Sequence, residues 1–75
     1  MIETTQFDEE TVVRRYDYAD SEVVAADFGP VEDASVDVLD DTVIALVDGE
    51  QYELAVDDEA RASMNNGVLT IEVER

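Results

Sequence analysis

The chain has no cysteine, no histidine, no lysine and no tryptophan. Each absence excludes something. Without cysteine, no disulfide staples the fold and no thiolate holds zinc. Without histidine, the usual general base and the commonest transition-metal ligand are gone. Without lysine, the cationic side chains are four arginines set among 21 acids. No apolar run approaches the roughly 18 residues of a membrane-spanning helix. The start, "MIETTQFDEE", lacks the basic flank and apolar stretch of a signal peptide. The expected location is the cytoplasm.

What is present is acid. The net charge is −17 on 75 residues. A chain of this length makes one domain with a thin core. Acidic chains of low hydrophobicity stay disordered, but here 45% of residues are hydrophobic and they fall in alternating runs, which argues for a fold. Like charges oppose compaction at low ionic strength. In molar salt the screening length falls to about 3 Å and most of that repulsion disappears. Adaptation to a salty cytoplasm, that of a halophilic archaeon, is the expected habitat. The same charge disfavours nucleic acid, whose phosphates need cations, and anionic membranes.

Along the chain the dominant period is two. Residues 1–10 have little periodicity and read as a loose N-terminal arm or one weak edge segment, leaving 11–75 as the single domain. "TVVRRYDY", 11–18, has no clean face and reads as an edge strand. "EVVAADF", 22–28, is nearly continuous and apolar, suiting a strand covered on both faces or near a sheet centre. Phe28-Gly29-Pro30 breaks it. "SVDVLD", 35–40, alternates, and "TVIALVD" after it is ambiguous between its two faces. Asp48-Gly49 is the strongest hairpin signal. "QYELAV" then sets Tyr52, Leu54 and Val56 on one face. "DDEARA" reads as a polar bend or one helical turn. Asn65-Asn66-Gly67 reads as a tight turn. The last strand, "VLTIEV", alternates Leu69, Ile71 and Val73 with Thr70, Glu72 and Glu74. Short strands with turn signals between them predict an all-β sandwich.

The acidic clusters Asp40-Asp41 and Asp57-Asp58-Glu59 fit a solvated salt-adapted surface. They lack the spacing of a calcium loop, so weak cation binding and carboxylate catalysis are lesser readings. Ser21, Ser35 and Ser63 have no histidine to activate them. No enzyme chemistry, cofactor or metal is expected.

The end of the chain carries a resemblance. Ala62-Ser63-Met64-Asn65-Asn66-Gly67-Val68-Leu69, followed by "TIEV", is similar to the Ala-x-x-x-Asn-Gly-Val-Leu signature of small heat-shock proteins. "YDYADSEVVAADFGPVEDASVDVLDDTVIALV", 16–47, resembles the stretch preceding it in that family. Ala62, Asn66, Gly67, Val68 and Leu69 are the signature residues. The resemblance covers 16–74 and implies an immunoglobulin-like antiparallel β-sandwich of the α-crystallin type. The related CS domain of co-chaperones shares that sandwich.

Departures from the family bear on assembly. Asp48-Gly49 closes its hairpin directly, leaving no room for the long swapped loop that makes many family dimers. Glu53 and Ala55 stand where the family has arginine and proline. The sequence reaches Arg75 without the family's C-terminal anchor. Two strand edges are then expected to stay unpaired, with Asp17, Asp37, Glu72 and Glu74 as guards. The resemblance also implies a groove that receives apolar anchors, here Val36, Val38, Leu39 and Met64, although Val36 and Val38 better suit a plain core. The expected function is non-enzymatic protein binding: a minimal ATP-independent chaperone acting on unfolded proteins, or an adaptor with one partner. A homodimer is compatible with both.

Overall fold

Among the described residues seven strands form where side chains alternate, and positive-φ turns close two of their hairpins. The computed structural model describes Ile2, Phe7, residues 10–56 and residues 59–74. The strands are β1 (Val12–Asp17), β2 (Ser21–Asp27), β3 (Ala34–Val38), β4 (Thr42–Val47), β5 (Glu50–Ala55), β6 (Ala60–Asn65) and β7 (Val68–Glu74). They make two antiparallel sheets, one ordered β1-β2-β7-β6 and the other β3-β4-β5. The chain leaves the first sheet after β2, builds the second as a meander, and returns so that β7 fits between β2 and β6.

One face of each sheet is apolar, and the two faces share a single core. Val24 and Ala26 of β2 with Leu69, Ile71 and Val73 of β7 meet Val43, Ala45 and Val47 of β4 and Tyr52 and Leu54 of β5. Burial of this kind is worth roughly 1.5–3 kcal/mol for each large side chain. The ambiguity in "TVIALV" resolves here: Val43, Ala45 and Val47 point inward, Ile44 is half-buried and Leu46 is exposed. β2 does lie inside its sheet, but it is covered on one face only. Glu22, Val24 and Ala26 are buried and the residues between them half-buried.

Both glycine hairpins adopt the mirror-image two-residue turn, because both central residues take positive φ. Asp48 and Gly49 have φ of 47° and 87°, and Asn66 and Gly67 of 52° and 77°. Asp48 does more than turn the chain. Its Oδ1 accepts from the amides of Glu32 and Asp33 at 3.0 and 2.9 Å, tying the hairpin to the β2–β3 loop. Gly67 packs so closely on that loop that an added Cβ would stand 2.0 Å from the Gly29 carbonyl oxygen. The Phe28 amide donates to the Gly67 carbonyl at 2.8 Å.

Several sequence expectations change. "DDEARA" is no bend throughout: Ala60, Arg61 and Ala62 open β6, while Asp57 and Asp58 lie outside the described residues. Local polarity misled there, because β6 is an edge strand with one exposed face. Glu72 and Glu74 cannot guard an edge, since β7 is an interior strand; Asp17 and Asp37 do lie on edge strands. The stretch read as a loose arm contributes Ile2 to the core, fully buried and bridged to Val56 beside β5. Phe7 joins Phe28 and Tyr52 in an aromatic trio, with centroids 5.3 to 5.7 Å apart. Such pairs add about 0.5–1.5 kcal/mol beyond burial.

A charged pair lies on the core side. Glu22 is only 6% exposed and accepts from the Arg15 guanidinium, whose other nitrogen donates to the Ile2 carbonyl at 3.1 Å. One of the chain's few cations is thus used to neutralise a buried acid.

Candidate protein-binding groove

β3 and β6 are edge strands of different sheets, and they lie against each other along one flank of the core. Register shows what they present. Val36 and Val38 stand opposite Ala45 and Val43, so with Ala34 they share the inward side of their sheet. Ala60, Ala62 and Met64 stand opposite Val73, Ile71 and Leu69 and also turn inward. Each strand has a neighbour on one side only, so these side chains are incompletely covered. Val36, Ala60, Ala62 and Met64 are half-buried against the core, and Val38 is 41% exposed. Val36 thus packs against the core, while Val38, the last residue of β3, is largely open to solvent.

The backbone of both edges is open as well. The Leu39 amide donates to the Thr42 carbonyl, and the Asp48 amide to the Asp33 carbonyl, each at 2.8 Å. Antiparallel pairs alternate between bonded and non-bonded. Ala34, Val36 and Val38 are therefore the non-bonded positions, and their amides and carbonyls face away from β4. The two-residue turn at Asn66-Gly67 sets the same phase on β6. There Ala60, Ala62 and Met64 direct their backbone groups away from β7. The residues whose side chains line the flank thus also direct their backbone hydrogen-bonding groups outward from their own sheets.

At one end the flank opens into a cavity of about 570 Å³ lined by Val38, Leu39, Asp40, Asp41, Val56, Glu59 and Ala60. Of the four anchors named from sequence, Val38 and Leu39 meet in this cavity. Leu39 is 53% exposed, next after β3. Met64 does not join them. It stands four residues from Ala60, about 13 Å along β6 at a strand's usual rise, opposite Leu69 and near the terminal turn. The sequence does not assign Val56, Ala60 or the acids Asp40, Asp41 and Glu59 to the groove. The alternation Ala60, Ala62, Met64 was the available signal, and the acids around it obscured it.

The signature residues have structural positions. Asn66 and Gly67 form the turn, and Leu69 is fully buried. Ala62 lines the groove, while Val68 is half-buried on the opposite side of its sheet. Among the described residues no group of three or more acids is placed to hold a metal ion. No helix among them is long and apolar enough to cross a membrane.

These features define a small all-β protein of two antiparallel sheets over one core, with a partly exposed apolar flank where two edge strands meet. The chain belongs to DUF7127, a family of unknown function whose sequence profile matches residues 1–73. No curated protein and no solved structure matches it.

Proposed function

We propose that the chain is a non-enzymatic protein-binding domain of the α-crystallin type, which holds extended segments in the groove between β3 and β6. The observation that carries this reading is the coincidence of partly exposed apolar side chains and outward-facing backbone groups on the same residues of two adjacent edges. Strand addition uses both: main-chain bonds supply affinity and side-chain pockets supply selectivity. Met64 at one end suits variable clients, because its unbranched thioether adapts its shape.

The two-sheet architecture supports the α-crystallin reading. The likeness to immunoglobulin domains is one of architecture, because the strand order β1-β2-β7-β6 with β3-β4-β5 differs from the constant-domain order of A-B-E-D with C-F-G. On this reading the protein is an ATP-independent holdase in a salty cytoplasm, its acidic coat keeping captured clients soluble. A second reading, an adaptor for one partner, draws support from Asp40 and Asp41, which rim the cavity and favour a segment ending in a cation.

Suppression of heat-induced aggregation, measured on several unrelated clients in molar potassium chloride, tests the proposal. A holdase protects more than one client, and both Val38→Glu and Met64→Glu weaken that protection while keeping the circular dichroism spectrum. Protection of a single client favours the adaptor. Unaltered protection by both folded variants refutes the groove.

A further inference from the structure

The outer face of the four-stranded sheet differs in charge from the rest of the molecule. Register fixes what it holds. Arg14, Ala25, Thr70 and Ser63 lie side by side across the four strands. Tyr16, Val23, Glu72 and Arg61 form the next row. On β2 and β7 these residues alternate with the buried Val24, Ala26, Leu69 and Ile71, so they face away from the core. The Arg15–Glu22 pair lies on the core side of the sheet and takes no part.

Of the three described arginines, two stand on this face. Its outward strand positions set Arg14 and Arg61 against Asp27, Glu72 and Glu74, a balance of −1 in a chain of −17. Arg61 and Glu74 are 4.0 Å apart and both largely exposed. Apolar surface accompanies them. Val12 is 53% and Tyr16 44% exposed, and Val23, Ala25 and Val68 are half-buried. The outer face of the other sheet is smaller and carries Asp37 and Glu53 with no cation.

We propose that this face packs on the same face of a second copy, sheet on sheet, with strands roughly 30° from aligned and backbones about 10 Å apart. Charge selects that occupant. Two chains of −17 repel over most of their surfaces, but here each meets arginines as well as acids. In molar salt the repulsion from more distant acids is screened beyond about 3 Å, so the groups in contact decide. A two-fold contact uses the same patch twice, which offers each copy's arginines the other's acids. Four strands about 4.8 Å apart, each of about six residues at 3.4 Å, give a footprint of roughly 400 Å². An interface of that size is small, so the dimer is weak and reversible. Stacking on this face leaves the flank between β3 and β6 accessible. The inference does not depend on what that flank binds.

Sedimentation equilibrium of the full chain in molar potassium chloride tests it, and dimer is expected to predominate at millimolar concentration. Thr70→Glu adds a carboxylate on an interior strand, near the middle of the contact. Tyr16→Glu adds one on an exposed edge strand, where the fold tolerates it. Each keeps the circular dichroism spectrum and weakens association at least about tenfold, because like charges then meet across the contact. Leu46→Glu, on the exposed outer face of the other sheet, adds the same charge and leaves association unchanged. Amide NMR shifts on dilution locate the contact without mutation, and are expected at Val23, Ala25 and Thr70. A chain that stays monomeric at millimolar concentration overturns the proposal. So do folded Thr70→Glu and Tyr16→Glu variants that still dimerise, a Leu46→Glu variant that loses the dimer equally, or dilution shifts that map to β3 and β5.

Discussion

Replacing Gly67 by alanine separates backbone conformation from tertiary contact, because Gly49 provides the matched control. Both glycines occupy the second position of a two-residue hairpin turn, with φ of 77° and 87°. Left-handed backbone costs an alanine roughly 1–2 kcal/mol. Relief of unfolded-chain entropy offsets about 0.4–1 kcal/mol of that. At Gly49 nothing lies within 4 Å of the added Cβ, so Gly49→Ala stops there, at about 1 kcal/mol. At Gly67 the Cβ would meet the Gly29 carbonyl oxygen at 2.0 Å and its carbon at 3.2 Å. Backbone must move by more than the width of a hydrogen-bond tolerance, and the Phe28 to Gly67 bond at 2.8 Å lies in the same contact. Losing that bond costs about 1 kcal/mol, and disturbing Phe28 against Phe7 and Tyr52 adds a comparable amount. Gly67→Ala is thus expected to cost about 3–4 kcal/mol, a large part of the roughly 5–15 kcal/mol that a domain has. For a domain this small the difference is about 4–8 °C in Tm per kcal/mol. Urea unfolding at one fixed high salt concentration measures both variants without altering ionic strength. Equal losses for the two would refute the close docking of the terminal turn on the β2–β3 loop.

Three further outcomes follow from the structure. Ile2→Ala is expected to cost about 2–4 kcal/mol, as a fully buried side chain does; a change near zero in urea unfolding would restore the loose-arm reading. Arg15→Met strands the buried Glu22 carboxylate and is expected to cost about 2 kcal/mol, less than a fully buried pair because the arginine side chain is 34% exposed. Adding Glu22→Gln to Arg15→Met should recover part of that loss in a double-mutant cycle, and strictly additive losses would argue against the pair. The charge of −17 predicts a thermal midpoint that rises from millimolar to molar potassium chloride as the screening length shortens from about 30 Å towards 3 Å. Full stability in millimolar salt would remove the case for salt adaptation.

Much of the candidate groove could be read only unevenly from sequence. Val36, Val38 and Met64 were reached through the resemblance, and all three sit on the two facing edge strands. Leu39 lines the cavity, yet lies next after β3 and out of phase with Val36 and Val38. The strand β6 was hidden because Ala60, Ala62 and Met64 are small or flexible and their neighbours are polar. An edge strand with half-buried contacts needs no strong apolar signal, so none was there.

Local sequence by itself determined the alternation of most strands and the place of the two glycine turns. Period-two alternation follows from the pleat and requires no knowledge of neighbours. Positive φ at Asp48-Gly49 and Asn66-Gly67 follows from the residues themselves. Tertiary structure alone decided which strands became edges, and therefore what is exposed. Placing β7 between β2 and β6 buried the strand with Glu72 and Glu74 inside the sheet and left β6 at the rim. Folding the sheets together buried Ile2, matched Arg15 to Glu22 and brought Gly67 onto Gly29. The physical reason is distance along the chain. Alternation says which side of a strand is apolar, but the element that covers that side comes from elsewhere in the sequence, and no local pattern names it.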